Sequence, residues 1–156
     1  MAEPALTHAQ LTAKLVVEGC LRIMEGKDPA AMPIGAVPLE PEEARAAGVE
    51  PGGLAVFYPL GATGVFFYMR GAGARVWFNN EDCDGALETL ELALRNAYAK
   101  ATFSQQVAHT VPDMNVRLYN VPIDEQHFAS VEATYPITRT ARKQFIVRVH
   151  AQQRVS

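Results

Sequence analysis

The first clear hydrophobic pattern, between Thr7 and Gly26, predicts a helix. Apolar positions recur there at spacings of three and four residues, and charged positions fill the opposite side at the same spacings. Thr7 followed by Gln10 matches a capping box, in which each side chain accepts a hydrogen bond from the other residue's backbone N–H. Gly26 then provides a stop signal. We therefore expect an amphipathic helix of about five turns.

Three short apolar segments next predict an antiparallel sheet. They are LAVFYPL at 54–60, VFFYMR at 65–70 and ARVWFN at 74–79, and the connectors between them are short and rich in glycine. Connectors of this kind are typical of β-hairpins. The three segments therefore predict a meander.

Aromatic residues occur at both alternating positions of the meander, which predicts that both faces of its sheet are apolar. An apolar face rarely stays bare, so we expect both to be covered. Helices would cover one face, and the C-terminal strands, a ligand or a second subunit would cover the other. The alternation suggests two opposed sets: Phe57, Phe67 and Trp77 against Phe66, Tyr68 and Phe78.

The rest of the chain contributes a second helix and three more strands. The helix is predicted from Cys83 to about Ala101, and the strands at 115–121, 128–135 and 144–151. The expected fold is α+β, with two amphipathic helices packed on a mainly antiparallel sheet of a three-strand meander plus three C-terminal strands. We expect one domain over residues 1–156.

Residues 26–41 form a proline-rich connection that is neither helix nor central strand. Four prolines fall in this segment, and a connection of such length inside a compact domain is typical of a functional loop or an extended arm. A short helix is predicted at Pro41–Ala47, where proline fits the first turn and Gly48 ends it.

The composition predicts a globular cytoplasmic protein. The chain has 156 residues, 49% of them hydrophobic and 20% charged, and contains no apolar run that approaches the roughly 18 residues a membrane span needs. No secretory signal pattern is visible in MAEPALTHAQ. The two cysteines, Cys20 and Cys83, fit reduced thiols. We therefore expect no membrane partner.

The charges are unevenly distributed. Residues 1–100 hold 13 acids and 8 bases, whereas residues 101–156 hold 4 acids and 6 bases. The overall charge of −3 argues against a dedicated nucleic-acid-binding protein, although the basic C-terminal segment leaves such a contact open. The opposite charges are either two solvated faces or a contact between neighbouring copies. The candidate interface residues are Glu40, Glu42, Glu43 and Glu50 on the acidic side, and Arg139, Arg142, Lys143, Arg148 and Arg154 on the basic side.

The stretch NEDCDGALETLE, from Asn80 to Glu91, is similar to a calcium-binding EF-hand loop. Asn80, Asp82, Asp84 and Glu91 occupy ligand positions, and Gly85 occupies the glycine position. However, an EF-hand needs an entering helix, and a predicted strand precedes this segment. We therefore favour a helix start capped by Asp82 or Asp84, with a metal loop as the weaker alternative. No metal or other cofactor is expected.

No catalytic residue can be assigned from the sequence. Cys83 is surrounded by acids, which disfavour a reactive thiolate. His127 follows Asp124 and Glu125, which predicts a turn with a local ion pair. A dyad of Cys83 with His109 or His127 stays open, because spatial neighbours are not visible in a sequence. The glycine-rich connectors lack the phosphate-loop pattern and predict hairpin turns.

These observations favour a non-catalytic subunit of a homo-oligomeric assembly. The element order of terminal helix, meander, second helix and closing strands is similar to that of small bacteriophage tail-terminator and connector proteins, which implies self-association in a particle. One alternative is a small-molecule-binding protein or small enzyme, with a pocket between meander and helices and with Cys83, His127 or Arg117 as its polar groups. Another is a peptide-binding chaperone or adaptor.

Overall fold

The computed structural model describes residues 7–25, 37–46, 54–60, 63–70, 73–79, 85–98, 102–107, 114–136 and 144–153. Within these ranges, eight strands form one antiparallel sheet. Two longer helices contact each other, and the first of them also contacts the sheet. The predicted α+β fold is confirmed. No helix among the described residues is long and apolar enough to cross a membrane.

Helix α1 has three consecutive parts. An α-helical part, His8–Lys14, is followed by a π-helical part, Leu15–Leu21, and by a last α-helical turn, Arg22–Met24. Thr7 is the N-cap, and the capping box with Gln10 is present as predicted. The π-helical part was not predicted, because its hydrogen-bond spacing has no clear signature in the sequence. The predicted stop at Gly26 lies outside the described residues.

The remaining elements follow the predicted order with two additions. Helix α2 is Pro41–Ala46 and helix α3 is Ala86–Ala97. Strands β1 and β5 were not predicted. The strands are β1 Val37–Pro38, β2 Leu54–Leu60, β3 Thr63–Arg70, β4 Gly73–Asn79, β5 Thr102–Val107, β6 Met114–Pro122, β7 His127–Pro136 and β8 Gln144–Gln153.

The strand order in the sheet is β1-β2-β3-β4-β8-β7-β6-β5. The first four strands and the last four each form a local antiparallel series, and β4 and β8 join the two series. The C-terminal strands therefore extend the sheet of the meander. The suggestion that they cover its second face is wrong, because β8 forms backbone hydrogen bonds along the edge of β4 instead of packing on top of it.

The strand register corrects the predicted grouping of the aromatic residues. Phe57 lies opposite Phe66, and Phe66 lies opposite Trp77. Residues directly opposite each other share a face, so these three rings lie on the same side of the sheet. The prediction that placed Phe67 with Phe57 and Trp77 is wrong, because alternation along single strands does not fix how neighbouring strands align.

The core lies between the sheet and the two long helices. From α1 it takes apolar residues such as Leu15, Val16 and Leu21, and from α3 it takes Leu90 and Leu94, all almost completely buried. From the strands of the sheet, the core takes every second residue, because the residues between them lie on the opposite face. These sheet residues include Val56, Val65, Phe67, Val76, Phe78, Val121, Val131, Phe145, Val147 and Val149.

Helix α3 is shorter than predicted at both ends. Its N-cap is Gly85, which has a positive φ of 78°, and no side-chain hydrogen bond caps this end. The expectation that Asp82 or Asp84 is the N-cap is therefore wrong, since the glycine can adopt a left-handed conformation that other residues resist. The helix ends at Ala97 instead of Ala101, and Tyr98 follows it as the C-cap.

Candidate functional site

The sheet face opposite α1 and α3, called here the outer face, carries a row of mainly apolar side chains. The row crosses six neighbouring strands, and each of its residues lies directly opposite the next one on the adjacent strand. Each of its residues is buried or half-buried in the isolated chain. In spatial order from β2 to β6, the row consists of Phe57, Phe66, Trp77, Ile146, Thr134 and Val116.

The aromatic half of the row is closely packed. The Phe57 and Phe66 ring centroids are 4.8 Å apart, and the Phe66 ring stacks on Trp77 at 5.1 Å with an interplanar angle of 7°. The Arg75 guanidinium lies 4.2 Å from the Trp77 ring centroid, which is a cation–π distance. Trp77 is only 4% exposed, although it lies outside the main core. The outer face therefore has its own ordered apolar cluster.

A cavity of about 510 Å³ lies between this cluster and helix α2. Glu43 and Ala46 of α2 form one wall. At one end, Gln144 Nε2 donates a hydrogen bond to Asn79 Oδ1 over 2.6 Å. The remaining lining residues are Phe66, Arg75, Trp77 and Ile146. The cavity thus combines an aromatic floor with charged and amide groups at its rim.

Two arginines lie side by side on the outer face. Arg75 of β4 is directly opposite Arg148 of β8. Burial, and then the nearby Arg148 charge, lower the pKa of Arg75. The Arg148 Nη1 atom lies 3.8 Å from Glu132 Oε1 on β7. The outer face is therefore of mixed charge, with a cationic centre and a carboxylate beside it.

The predicted interface residues are only partly within the described chain. Glu40 precedes α2, Glu42 and Glu43 lie on it, and all three are exposed. Arg148 is half-buried on the outer face. Glu43 and Arg75 line the same cavity, so acidic and basic groups approach each other within one chain. The other predicted interface residues, Glu50, Arg139, Arg142, Lys143 and Arg154, lie outside the described residues.

The carboxylate of Glu91 is engaged by two partners on β6. Arg117 Nη1 lies 2.9 Å from Glu91 Oε1, and the Tyr119 hydroxyl donates to the same oxygen over 2.8 Å. Burial, and then the carboxylate of Glu91, raise the pKa of Tyr119 well above its ordinary value. This cluster connects α3 to the sheet.

The Glu91 contacts bear on the weak metal-loop alternative. A strand, β4, precedes the candidate loop, whereas an EF-hand needs a helix there. Glu91 is the one candidate ligand within the described chain, and its carboxylate oxygen binds Arg117 and Tyr119. Asn80, Asp82 and Asp84 lie outside the described residues. Among the residues that are described, no group of three His, Cys, Asp or Glu side chains is placed to hold a metal ion.

His127 contacts Asp124 in a local turn, as its sequence context predicts. Its Nδ1 atom lies 3.0 Å from Asp124 Oδ1, which also accepts hydrogen bonds from the backbone N–H groups of Gln126 and His127. These hydrogen bonds, together with the histidine, lower the pKa of Asp124. Cys83 and His109, the other members of the suggested dyads, lie outside the described residues. The described geometry gives His127 a role in the β6–β7 turn.

Cys20 is the cysteine whose surroundings are described, and it is a core residue. It is fully buried in the π-helical part of α1, and burial raises the pKa of its thiol to about 12. A neutral, inaccessible thiol is a poor nucleophile and a poor metal ligand. This agrees with its interpretation as a reduced core cysteine.

The suggested pocket between meander and helices is occupied by the core. Side chains such as Tyr58 and Phe67 fill this layer with little exposure. A groove of about 490 Å³ lies elsewhere, between α1 and α3, and Lys14, Glu18 and Ala93 are among its lining residues. The candidate site with aromatic and charged groups is thus the outer face.

Arg75 is a site residue that the sequence interpretation missed, although a signal for it existed. It precedes Trp77 by two positions in one strand, and residues at this spacing share a face. Arginine beside an aromatic residue on one strand face is a typical cation–π arrangement. Asn79 follows at the same spacing and lines the same cavity.

No protein-family model, curated protein or solved structure matches this chain.

Proposed function

We propose that this protein is a non-catalytic subunit of a homo-oligomeric assembly and that the outer face is its contact surface. The observation that carries the proposal is the apolar row from Phe57 to Val116, which lies on the face that α1 and α3 leave uncovered. Apart from the buried Trp77, the residues of the row are partly exposed, and a partly exposed apolar surface rimmed by charged residues is typical of a protein–protein contact.

The dimensions of the row support a contact of ordinary size. Five steps between neighbouring strands, at about 4.8 Å each, give a length of roughly 24 Å. A standard interface buries roughly 800 Å² on each partner, which corresponds to a patch of similar width. The row therefore has the right extent for one subunit contact.

The charges around the row support a contact that depends on salt. Exposed carboxylates of Glu42 and Glu43 lie on α2, whereas Arg75 and Arg148 lie on the sheet beside the row. Opposite charges on one surface can meet their complements on a neighbouring copy and fix its orientation. Because the order of helices and strands is similar to that of small bacteriophage tail-terminator and connector proteins, we propose that the assembly is a particle of this kind.

The test is the native mass, measured by size-exclusion chromatography with light scattering at low salt and at about 0.5 M salt. We expect an oligomer that dissociates in part at high salt.

A substitution within the row provides a second test. Ile146→Glu places a charge in the centre of the row and should raise the dissociation constant at least about tenfold, a penalty of about 1.4 kcal/mol. Leu92→Glu is the matched control, because Leu92 is 62% exposed on α3. A wild-type monomer at every concentration and salt would contradict the proposal.

A second candidate, a small-molecule-binding protein, is favoured by the cavity of about 510 Å³ under α2. Its volume lies within the usual range of ligand pockets, roughly 300–1,000 Å³, and its lining combines aromatic and polar groups. Trp77 is the single tryptophan of the chain, so its fluorescence reports on this cavity directly. A fluorescence change on addition of a ligand to a monomeric protein would favour this candidate over self-assembly.

A further inference from the structure

Strand β5 forms one end of the sheet, and among the described residues its outer edge has no strand partner. It pairs with β6 along residues 102–107, and within the described part of the chain nothing pairs with its other side. Such an edge exposes a row of backbone N–H and C=O groups that can accept another strand. The edge is six residues long, which is an ordinary strand length.

The sequence of β5 contains none of the residues that commonly protect a strand edge. Thr102–Val107 reads TFSQQV, which has no proline and no charged residue. Natural proteins usually protect an open edge with lysine, proline, a bulge or a very short strand. The β5 edge is therefore suited to strand addition, with backbone hydrogen bonds as the source of affinity.

The opposite end of the sheet is protected in these ways. There, the two-residue strand β1 pairs with Val56 and Phe57 of β2. Pro38 and Pro59 lack a backbone N–H, and they lie within β1 and β2. A head-to-tail contact in which β5 of one copy joins β2 of the next copy would meet this protected end. The contrast between the two ends favours a contact that uses β5 alone.

We propose that β5 pairs antiparallel with β5 of a second copy of this chain, across a twofold axis perpendicular to the sheet. A twofold contact needs one self-complementary surface, and a single open strand provides it. Identical strands meet there without like-charge repulsion, because TFSQQV is uncharged. This inference rests on the proposed self-association and specifies the first contact in it.

The pairing has a consequence for the outer face. A twofold axis perpendicular to the sheet keeps the same face upward in both copies, so the two outer faces become one continuous surface. The apolar row ends on β6, the strand next to β5. Two rows would therefore lie on either side of the new strand pair, and further copies could dock on the joined surface.

The test compares two glutamine-to-lysine variants. Gln105→Lys introduces a charge on β5, so that pairing of two copies would bring two like charges close to the axis. Gln126→Lys introduces the same charge in the exposed β6–β7 turn and serves as the control. By analytical ultracentrifugation, we expect Gln105→Lys to raise the dimer dissociation constant at least about tenfold. Gln126→Lys should leave that constant unchanged. A Gln105→Lys protein with the wild-type dimer constant would overturn the inference.

Hydrogen exchange on the wild-type protein provides a second measurement that does not depend on the folding of a variant. The backbone amides of residues 102–107 should exchange several-fold more slowly above the dimer dissociation constant than below it. Exchange that is independent of concentration in a protein that does self-associate would overturn the inference.

The two proposals fail in different ways. An oligomer that responds to Ile146→Glu and not to Gln105→Lys would overturn the β5 pairing and keep the proposed function. A wild-type protein that stays monomeric would overturn both.

Discussion

Gly64 shows at the scale of one residue how tightly the outer face is packed. A Cβ atom added there would overlap both the Phe57 ring and the Tyr58 carbonyl. The Phe57 ring therefore lies directly over the glycine backbone, an arrangement in which an aromatic side chain covers a strand glycine. Because Gly64 has no side chain, the Phe57 ring can occupy this place at one end of the apolar row.

We predict that Gly64→Ala destabilises the protein by about 1–3 kcal/mol, because overpacked sites of this kind force backbone and ring to shift. The measurement is the free energy of unfolding in urea. Gly73→Ala is the control, since the added Cβ would come within 3.2 Å of the exposed His150 ring, which can move aside. Equal stability of the Gly64→Ala protein and the wild type would contradict the prediction.

The candidate site could be predicted from the sequence only in part, for a reason that Phe57 and Phe67 illustrate. Period-two alternation predicts correctly that aromatic residues lie on both faces of the meander. It does not relate the faces of neighbouring strands, because register depends on contacts between residues distant in sequence. The pattern along single strands could therefore not predict the stacking of Phe66 on Trp77. The turn contact between His127 and Asp124 is local in sequence, and it was predicted correctly.

At the scale of elements, the contact of α3 with β6 depends on the Glu91 carboxylate. Glu91 lies on the helix, and both of its partners, Arg117 and Tyr119, lie on the strand. The carboxyl side chain is 18% exposed, so the interaction is only partly screened by water. It adds a directional contact to the apolar packing of Leu90 and Leu94.

We predict that Tyr119→Phe lowers the free energy of unfolding by about 0.5–1.5 kcal/mol, the usual net contribution of one hydrogen bond. A double-mutant cycle with Glu91→Gln, measured by urea unfolding, separates the pair from the rest of the helix contact. We expect the second substitution to cost clearly less in the Tyr119→Phe background. Strictly additive effects would show that the two side chains do not stabilise each other.

Elements with a strong periodic pattern were predicted correctly, and elements without one were not. Helix α1 and strand β8 have clear periods of 3.6 and 2 residues, and both lie where the sequence places them. Strand β5 was missed because TFSQQV mixes polar and apolar residues without a repeating face. The N-cap at Gly85 was missed because acidic residues nearby gave a stronger local signal than glycine.

At the scale of the whole molecule, the sheet is asymmetric in both its faces and its ends. One face is covered by α1 and α3, and the other carries the apolar row. Among the described residues, β1 lies at one end of the sheet and β5 at the other, where no further strand pairs with it. The proposed self-association rests on these two features, the apolar row and the edge of β5.

The junction of β4 and β8 has a consequence for the speed of folding. Every other strand pair forms between segments that follow each other along the chain, whereas the hydrogen bond from Gln144 to Asn79 joins residues 65 positions apart. Closing a loop of that length costs roughly 3 kcal/mol more in chain entropy than closing a short hairpin. Formation of this junction is therefore expected to be the rate-limiting event.

Two matched truncations can test this in stopped-flow refolding. Val76 lies in the junction opposite Val147, whereas Val121 lies in the local pair of β6 and β7, and both are fully buried. Val76→Ala should slow refolding, while Val121→Ala should mainly accelerate unfolding. Equal slowing by both would place the barrier elsewhere. Until the junction closes, each half of the chain is a short sheet with two unpaired ends, so the time this protein spends exposed to aggregation is set by one pair of strands.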